Sequence, residues 1–465
     1  MNNIPEFEIT FPIIVIGAGA CGSIAALAAR EAGVEVLLVE QDRRPMGSTG
    51  MSQGLISAAG TQAQLAAGIV DSADLFYRDI MAKTDGQADP VIAELIAAQS
   101  GPTLDWMVNK LHMPWQLDKA FRPGFGNSTY RVHGWPGHSG QAMVDLLQSR
   151  LLEAEVNLLL GAQLTEVHAD DSGRVLGVTL RRPDGAEEQV GCEALILACG
   201  GFAANHELVQ RYIPAVISAK NHGHEGSQGM AVKVGLQLGA ALGDMGAYQG
   251  YGMLTEPQGI TVSPGTIVGG GLLVNSEGNR FVDELADIAG VVLPVLQQPG
   301  DHVWVVFDEK IEAQVASYPE SQQLMELNAA KKADTLAELA ALMGVPVENL
   351  QATFDAVQAA SSAQAEDQLG RDWRGVQPPS GRYCALKVVG AIYHTQGGLQ
   401  INSAAQVVRG NGSPLPNLFA GGGAARSVSG PAHWGYIPAM GLATAVVLGR
   451  MAGTRAAELV LRGGE

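Results

Sequence analysis

The chain has 465 residues, of which 46% are hydrophobic and 16% charged, with a formal net charge of -18 and a pI near 5.0. That length exceeds one ordinary core and predicts about two domains, with much of the chain buried. The acidic balance argues against nucleic acid or an anionic membrane surface as a partner.

Apolar stretches are broken by Gly, Pro or charge before reaching about 18 residues, and the opening Met1-Asn-Asn-Ile-Pro-Glu lacks the positive start of a signal peptide. The sequence therefore predicts a cytoplasmic protein with no membrane partner. The first structural signal is the apolar run from Phe11 to Ile16, followed directly by Gly17-Ala-Gly19-Ala20-Cys21-Gly22 and an alanine-rich helical stretch. A second β-like run ends in the acid Glu40, next to Gln41. This is a dinucleotide-binding fingerprint: Gly17 for the tight turn, Gly19 for close approach of a pyrophosphate, Gly22 for helix–strand packing, and Glu40 for the ribose hydroxyls.

The four cysteines, Cys21, Cys192, Cys199 and Cys384, are scattered and none falls in a CxxC spacing. Haem, iron–sulfur and zinc sites are not encoded locally, no metal is expected, and each thiol reads as a small buried hydrophobe. Beyond Glu40 comes a run dense in small and hydroxyl residues, Gly47-Ser48-Thr49-Gly50-Met-Ser52-Gln53-Gly54, then Ala58-Ala59-Gly60-Thr61. It suits a loop against which a flat ring lies, with a solvent loop as the alternative. The segment Tyr130-Arg131-Val-His133-Gly-Trp-Pro-Gly-His138 is rich in Pro, Gly and aromatics and reads as loop rather than helix.

Two further buried runs end in glycine: Leu195-Ile-Leu-Ala198-Cys-Gly200-Gly201 and Asn417-Leu-Phe-Ala-Gly421-Gly422-Gly423. Three strands that stop in glycine are expected where strand ends meet one extended ligand at the crest of a sheet. Helical stretches are predicted from Lys332 to Met343 and from Val347 to Ala363. Gly435-Tyr436-Ile437-Pro438-Ala439-Met440-Gly441 starts an apolar helix through Ala452, with Pro near its first turn.

With Gly278-Asn-Arg280-Phe281-Val282-Asp-Glu284 and His394-Thr395-Gln396-Gly397-Gly398 added, the ordered motifs from about residue 12 to 453 resemble the fumarate reductase/succinate dehydrogenase flavoprotein superfamily, in its soluble branch with the 3-ketosteroid dehydrogenases. The resemblance implies an α/β fold. A Rossmann-like FAD-binding domain would be built from residues 1–243 and 378–465, with an α+β capping domain inserted at 244–377. It implies FAD held by Gly17, Gly19, Ala20, Gly22, Glu40, Gln41, Ser48, Thr49, Ser52, Gln53, Gly54, Ala59, Gly60, Leu164, Ala198, Gly200, Gly201, Gly398, Gly422, Gly423, Ile437, Ala439 and Met440. Covalent members carry a histidine where this chain has Ser48-Thr49, so FAD is expected to be non-covalent. The last helix would point its N-terminus at the flavin, where its dipole favours the negative charge of the reduced ring.

Dicarboxylate reductases of the superfamily deliver a proton from an arginine that falls here on Ile288, and isoleucine has none to give. Their other substrate contacts fall on Tyr251, Pro264, Ile267 and His433. Ketosteroid dehydrogenases place a tyrosine where Ile288 lies and a Tyr-Pro-Gly element where this chain has Ser429-Gly430-Pro431-Ala432-His433. What remains is a set of phenols and imidazoles. Tyr251 is expected as acid/base, or else as cap packing. His394 and His433 are expected as carbonyl or carboxylate contacts, His394 alternatively as support for the flavin, and Tyr436 joins the catalytic set. Tyr248, His133 and Arg131 are expected to bind substrate, with a surface-loop role open to His133 and His138.

The leading expectation is an FAD-dependent dehydrogenase of a CH–CH bond beside a carbonyl, cyclic or steroid-like, acting by α-proton removal and hydride transfer, with an external electron partner. An enone or unsaturated monocarboxylate reductase of the same fold is the alternative. A flavin-carrying module without turnover is the third.

Overall fold

The computed structural model describes residues 6–463; residues 1–5, where the reading of the chain's opening falls, lie outside the described residues. In chain order the elements that position the site are β1 (Ile9–Ile16), α1 (Ala20–Glu31), β2 (Val36–Glu40), β3 (Leu55–Ser57), α2 (Pro90–Leu111), β4 (Val132–Gly134), β5 (Asn157–Leu160), β6 (Glu187–Leu197), β7 (Tyr248–Thr255), β8 (Leu272–Val274), β9 (Val303–Asp308), β10 (Tyr383–Thr395), β11 (Pro414–Ala420) and α3 (Met440–Gly463). No helix among the described residues is long and apolar enough to cross a membrane.

The chain divides into two compact units: the first holds the chain up to Ile213, Gly223–Tyr248 and the chain from His394 on, and the second holds Pro214–His222 and Gln249–Tyr393. Compared with an insertion at 244–377, the second unit leaves 244–248 to the first and also takes in 214–222 and 378–393. The reason is pairing: β10 runs antiparallel to β9 from Val303↔Val388 to Asp308↔Tyr383, so its first residues belong to that sheet.

In the first unit five strands are parallel neighbours in the order β11-β6-β1-β2-β5. Sequence order reverses between β1 and β6, the switch point at which doubly wound sheets bind their ligands. Their residues are apolar on both faces, as strands covered by helices require: Ile13, Ile14, Val15, Val36, Leu38, Leu195 and Ile196 are all buried. The alanines of α1 allow α3 to approach closely. A β-carbon on Gly449 or Gly453 would stand 2.3 Å from the Cys21 carbonyl oxygen or 2.1 Å from that of Ala25. This is the expected α/β architecture, a Rossmann-like domain interrupted by an α+β insertion.

In the second unit β8, β9 and β10 share a six-stranded sheet whose two faces are both apolar with period two. Leu272, Val274, Trp304 and Val306 face one cluster with Leu350, Phe354 and Trp373; Leu273, Val303, Val305 and Phe307 face another with Tyr251, Leu386 and Val388. Helices occupy Leu336–Met343 and Val347–Ser362, but Lys331–Ala333 is a strand paired with β10. The helix starts late because Thr335 and Glu338 form a capping box, which sets the N-cap at Thr335.

Candidate active site

Three strand ends of the first unit stop at one level. Ile16 of β1 pairs with Leu197 of β6, which pairs with Ala420 of β11. The residues that follow are the three glycine stops, and they touch without side chains between them. Gly17 has φ +104°, and a β-carbon there would lie 2.5 Å from the Ala198 carbonyl oxygen. One on Gly22 would be 1.8 Å from the Gly17 oxygen, one on Gly423 2.8 Å from the Gly201 nitrogen, one on Gly398 2.7 Å from the Ala424 oxygen, and one on Gly201 2.1 Å from Thr395 Oγ1. Gly200 precedes that last contact, and Gly422 packs on Cys21.

Hydrogen bonds hold the turn. Glu40 accepts from the Ala18 N–H at 2.7 Å and the Asp42 N–H at 3.0 Å, and Thr49 Oγ1 accepts from the Ala20 N–H at 3.0 Å. Gly19, the N-cap of α1, brings no side chain to cap the helix, whose positive end is left to the crest. In the loop beyond, Ser52 Oγ donates to the Thr49 carbonyl at 2.7 Å and accepts from the Gly54 N–H at 3.1 Å, with Gln53 between them. Ser48 is exposed, as is Gly60, while the Ala59 N–H is held by Ser100 Oγ at 3.2 Å. The amide of Gln41 lies over the main chain at Gly226, and Leu164 is buried opposite Leu180 in an antiparallel hairpin. A side-chain-free crest at a helix N-terminus, with an acid at the end of β2, fits the pyrophosphate and ribose of FAD.

The start of α3 is built from two directions. Ser57, at the end of β3, donates from its hydroxyl to the Pro438 carbonyl at 2.9 Å, and its N–H reaches the Ala439 carbonyl at 3.4 Å. Ala439 itself sits at φ +64°. Pro438 thus precedes the helix, which begins at buried Met440 rather than around Gly435, with Ile437 buried beside it.

Two aromatic pairs of the first unit stand at this end. The His394 and Tyr436 rings are 5.8 Å apart and near perpendicular; Tyr248 and His433 are 5.4 Å apart. A β-carbon on Gly441 would lie 3.1 Å from His394 Nε2 and 3.9 Å from the Tyr436 hydroxyl, so that imidazole packs directly on the glycine at the start of α3, with that phenol beside it. Burial lowers the His394 pKa to about 4, opposed slightly by the nearby Thr395 carbonyl. Burial raises that of Tyr436, opposed by the Gly441 N–H. Both groups are therefore neutral near pH 7. His394 Nδ1 lies 2.9 Å from Gln396 Nε2, and Gln396 Oε1 accepts from Ser429 Oγ at 3.1 Å. Neither Gln396 nor Ser429 was singled out by the sequence reading, although both stand within motifs it used.

Several expected substrate contacts have other partners. Tyr251, expected as acid/base, lies in the core of the second unit, where its hydroxyl donates to the Val262 carbonyl at 2.8 Å. Its ring meets Tyr393 edge-on at 6.1 Å, and burial raises its pKa well above 10.0. Its hydroxyl proton is thus engaged by a main-chain carbonyl, and burial opposes its ionisation. Ile288 packs on the same core, and Ile267 is buried. Arg280 and Arg371 close on Glu284 at 2.8 and 2.9 Å, a pairing inside the fold.

Arg131, expected to bind substrate, is fully buried with its guanidinium on Asp71 at 2.8 Å and Asp79 at 2.5 Å, beneath the Phe76 ring. Its charge is already neutralised by two carboxylates. His133 is buried in strand β4 rather than in a loop: Nδ1 meets the Arg131 carbonyl at 3.0 Å, Nε2 meets Thr61 Oγ1 at 2.9 Å, and burial lowers its pKa to about 4. Both of its ring nitrogens are engaged within the fold. His138 pairs with Asp118 at 2.8 Å. The four cysteines carry free thiols, and no group of three metal-ligating side chains occurs among the described residues.

A parallel sheet whose glycine-ended strands meet at the switch point, with a helix N-terminus facing the same end, defines a dinucleotide-binding protein. The family profile of the FAD binding domain, FAD_binding_2, matches residues 12–435, and the chain belongs to that family, within the fumarate reductase/succinate dehydrogenase flavoprotein superfamily. It is an FAD-dependent oxidoreductase of the CH–CH class. A flavocytochrome c3 fumarate reductase structure is 28% identical with a TM-score of 0.84, over 98% of this chain and 79% of that one. The urocanate reductase of Eggerthella lenta is 28% identical over 463 residues, 96% of this chain and 74% of that protein. A 3-ketosteroid-Δ4-(5α)-dehydrogenase from Rhodococcus jostii RHA1 shares the fold at 23% identity, with a TM-score of 0.77 over 98% of each chain.

Proposed function

We propose that this enzyme acts on the bond between the carbons α and β to a ketone-like carbonyl, in a cyclic or steroid-like substrate, with non-covalently held FAD. The observation that carries the reading is the pair of neutral groups, His394 and Tyr436, brought together beside Gly441 at the start of α3, while Arg131, Arg280 and Arg371 are all neutralised within the fold. Neutral donors suit a carbonyl oxygen, whereas a dicarboxylate calls for fixed positive charge.

Bound FAD supplies the two-electron acceptor for the hydride leaving the β carbon. The protein's part is to orient the substrate and manage the proton. His394 and the Tyr436 hydroxyl hold the carbonyl oxygen and stabilise the negative charge that grows on it as the α proton leaves. His433, beside Tyr248, takes that proton, the role that buried Tyr251 is unsuited to fill. The electrons then pass to an external acceptor.

The second reading is the reverse reaction, saturation of an enone or unsaturated monocarboxylate with electrons from an external donor; similarity to urocanate and fumarate reductases favours it. Ser48 and Thr49 supply no imidazole for a covalent flavin link, so denaturation should release all of the yellow cofactor into solution.

The test is anaerobic mixing of the oxidised enzyme with saturated cyclic ketones and with succinate. Bleaching of the flavin by ketones supports the dehydrogenase. Reoxidation of the dithionite-reduced enzyme by enones alone supports the reductase. A response confined to succinate and fumarate would overturn the assignment to ketones.

A further inference from the structure

We propose that Gln396 is a positioning residue that fixes His394 as the neutral tautomer protonated at Nε2, so that the site presents a substrate oxygen with an N–H donor rather than an acceptor or a cation. The inference rests on the reading above only for the identity of the oxygen.

The argument starts from what each group can donate. A side-chain amide nitrogen donates and cannot accept, so Gln396 Nε2, 2.9 Å from His394 Nδ1, requires a lone pair on that ring nitrogen. At the amide's other end Ser429 Oγ donates to Gln396 Oε1 at 3.1 Å. Both partners are buried, Gln396 4% and Ser429 1% exposed. The main chain pins the amide's base: the Gln396 N–H donates to the Ala247 carbonyl at 2.8 Å, and the Ser427 N–H to the Gln396 carbonyl at 2.9 Å. With Nδ1 accepting and the ring neutral, its one proton sits on Nε2, the atom that meets Gly441 beside the Tyr436 hydroxyl.

The donors therefore run in one direction, from Ser429 through Gln396 to His394 and out at its Nε2. The rival acceptor for a ring proton is the Thr395 carbonyl. A proton on Nδ1 would set N–H against N–H at Gln396, and it would leave Nε2 as an acceptor that repels a carbonyl oxygen. The charge consequence is selectivity. An enolate oxygen gains from two neutral donors, whereas a dicarboxylate finds no net positive charge there to offset its desolvation.

The test is ring-nitrogen NMR of the oxidised holoenzyme labelled with 15N-histidine, with the His394 signals assigned by their loss in His394→Asn. The expected result is a pyridine-type Nδ1 and a pyrrole-type Nε2. Gln396→Met keeps the volume but removes the donor, and should give mixed tautomers. Gln396→Glu supplies an acceptor instead and should move the proton to Nδ1. A pyrrole-type Nδ1 in the native enzyme, or an unchanged tautomer in Gln396→Met, would overturn the proposal. In the half-reaction Gln396→Met should lower kcat by about tenfold, short of the ~10²-fold of a whole donor, with FAD still bound. If the tautomer behaves as expected and no ketone bleaches the flavin, the functional reading fails and the tautomer assignment stands.

Discussion

Gly441 and His394 meet with no side chain between them: a β-carbon on Gly441 would stand 3.1 Å from both Cε1 and Nε2 of the imidazole. Alanine is a better helix former than glycine by about 1 kcal/mol, and Gly441 lies in the first turn of α3, outside the left-handed region. Gly441→Ala should therefore push the imidazole aside by a few tenths of an ångström, with the gain in helix propensity offsetting part of that strain. The expected outcome is a stable, yellow protein with the substrate half-reaction slowed by ~10²-fold, measured by stopped-flow flavin absorbance. A normal half-reaction would show that the position of the His394 ring does not matter to the substrate.

The loop before α3 is held in an unfavourable conformation. Ala439 sits at φ +64°, which costs an L-residue about 1 kcal/mol, and Ser57 bonds the carbonyls of Pro438 and Ala439. Ala439→Gly should stabilise the apoprotein by up to about 1 kcal/mol by relieving that strain, and Ser57→Ala should destabilise it by about 1 kcal/mol. Urea denaturation of both variants checks the signs. If the loop presents helix N–H groups to the flavin, Ser57→Ala should also weaken FAD retention on dialysis.

How far the sequence reaches is clear at particular residues. The crest was legible because strand period and missing side chains are local properties: Gly17, Gly200 and Gly423 follow apolar runs, and Ile16, Leu197 and Ala420 align in register. Partner choice was not. Arg131 and Asp71 lie 60 residues apart and pair in the interior, and nothing local to Arg131 announces a buried carboxylate. Tyr251 stands on a strand of a sheet apolar on both faces, where a phenol serves as core with one polar tip, satisfied by the Val262 carbonyl. Gln396 was within a quoted motif, but its function lies in the direction of an amide, which only the fold around Ser429 and Ala247 sets.

The buried cluster around Arg131 separates a structural from a substrate role. Removing the guanidinium leaves Asp71 and Asp79 without their buried partner, and breaking a buried pair costs about 3–5 kcal/mol. Arg131→Ala should lower stability by that amount, while Arg131→Ala/Asp71→Asn should recover part of it because less unpaired charge remains. Thermal denaturation at neutral pH reads both. A stable Arg131→Ala with only a raised KM would restore the expectation that this arginine binds substrate.

His133 gives the protein a pH dependence whose sign follows from its burial. Its folded pKa lies near 4, against an ordinary 6.5, because burial disfavours the imidazolium. As pH falls below 6.5 the unfolded chain takes up a proton that the folded chain does not accept until about 4, so stability is fully present above 6.5 and is lost on acidification through that window. The slope approaches about 1.4 kcal/mol per pH unit for one such group. His394, also lowered to about 4, adds a second contribution of the same sign. His133→Gln, which retains a side chain able to meet Thr61 and the Arg131 carbonyl, should remove the first contribution from urea-unfolding free energies measured between about pH 7 and pH 4.5. An unaltered slope would mean that His133 is protonated in the folded protein, paired through Thr61 with the acidic groups around Asp71, and that the strand β4 network carries charge.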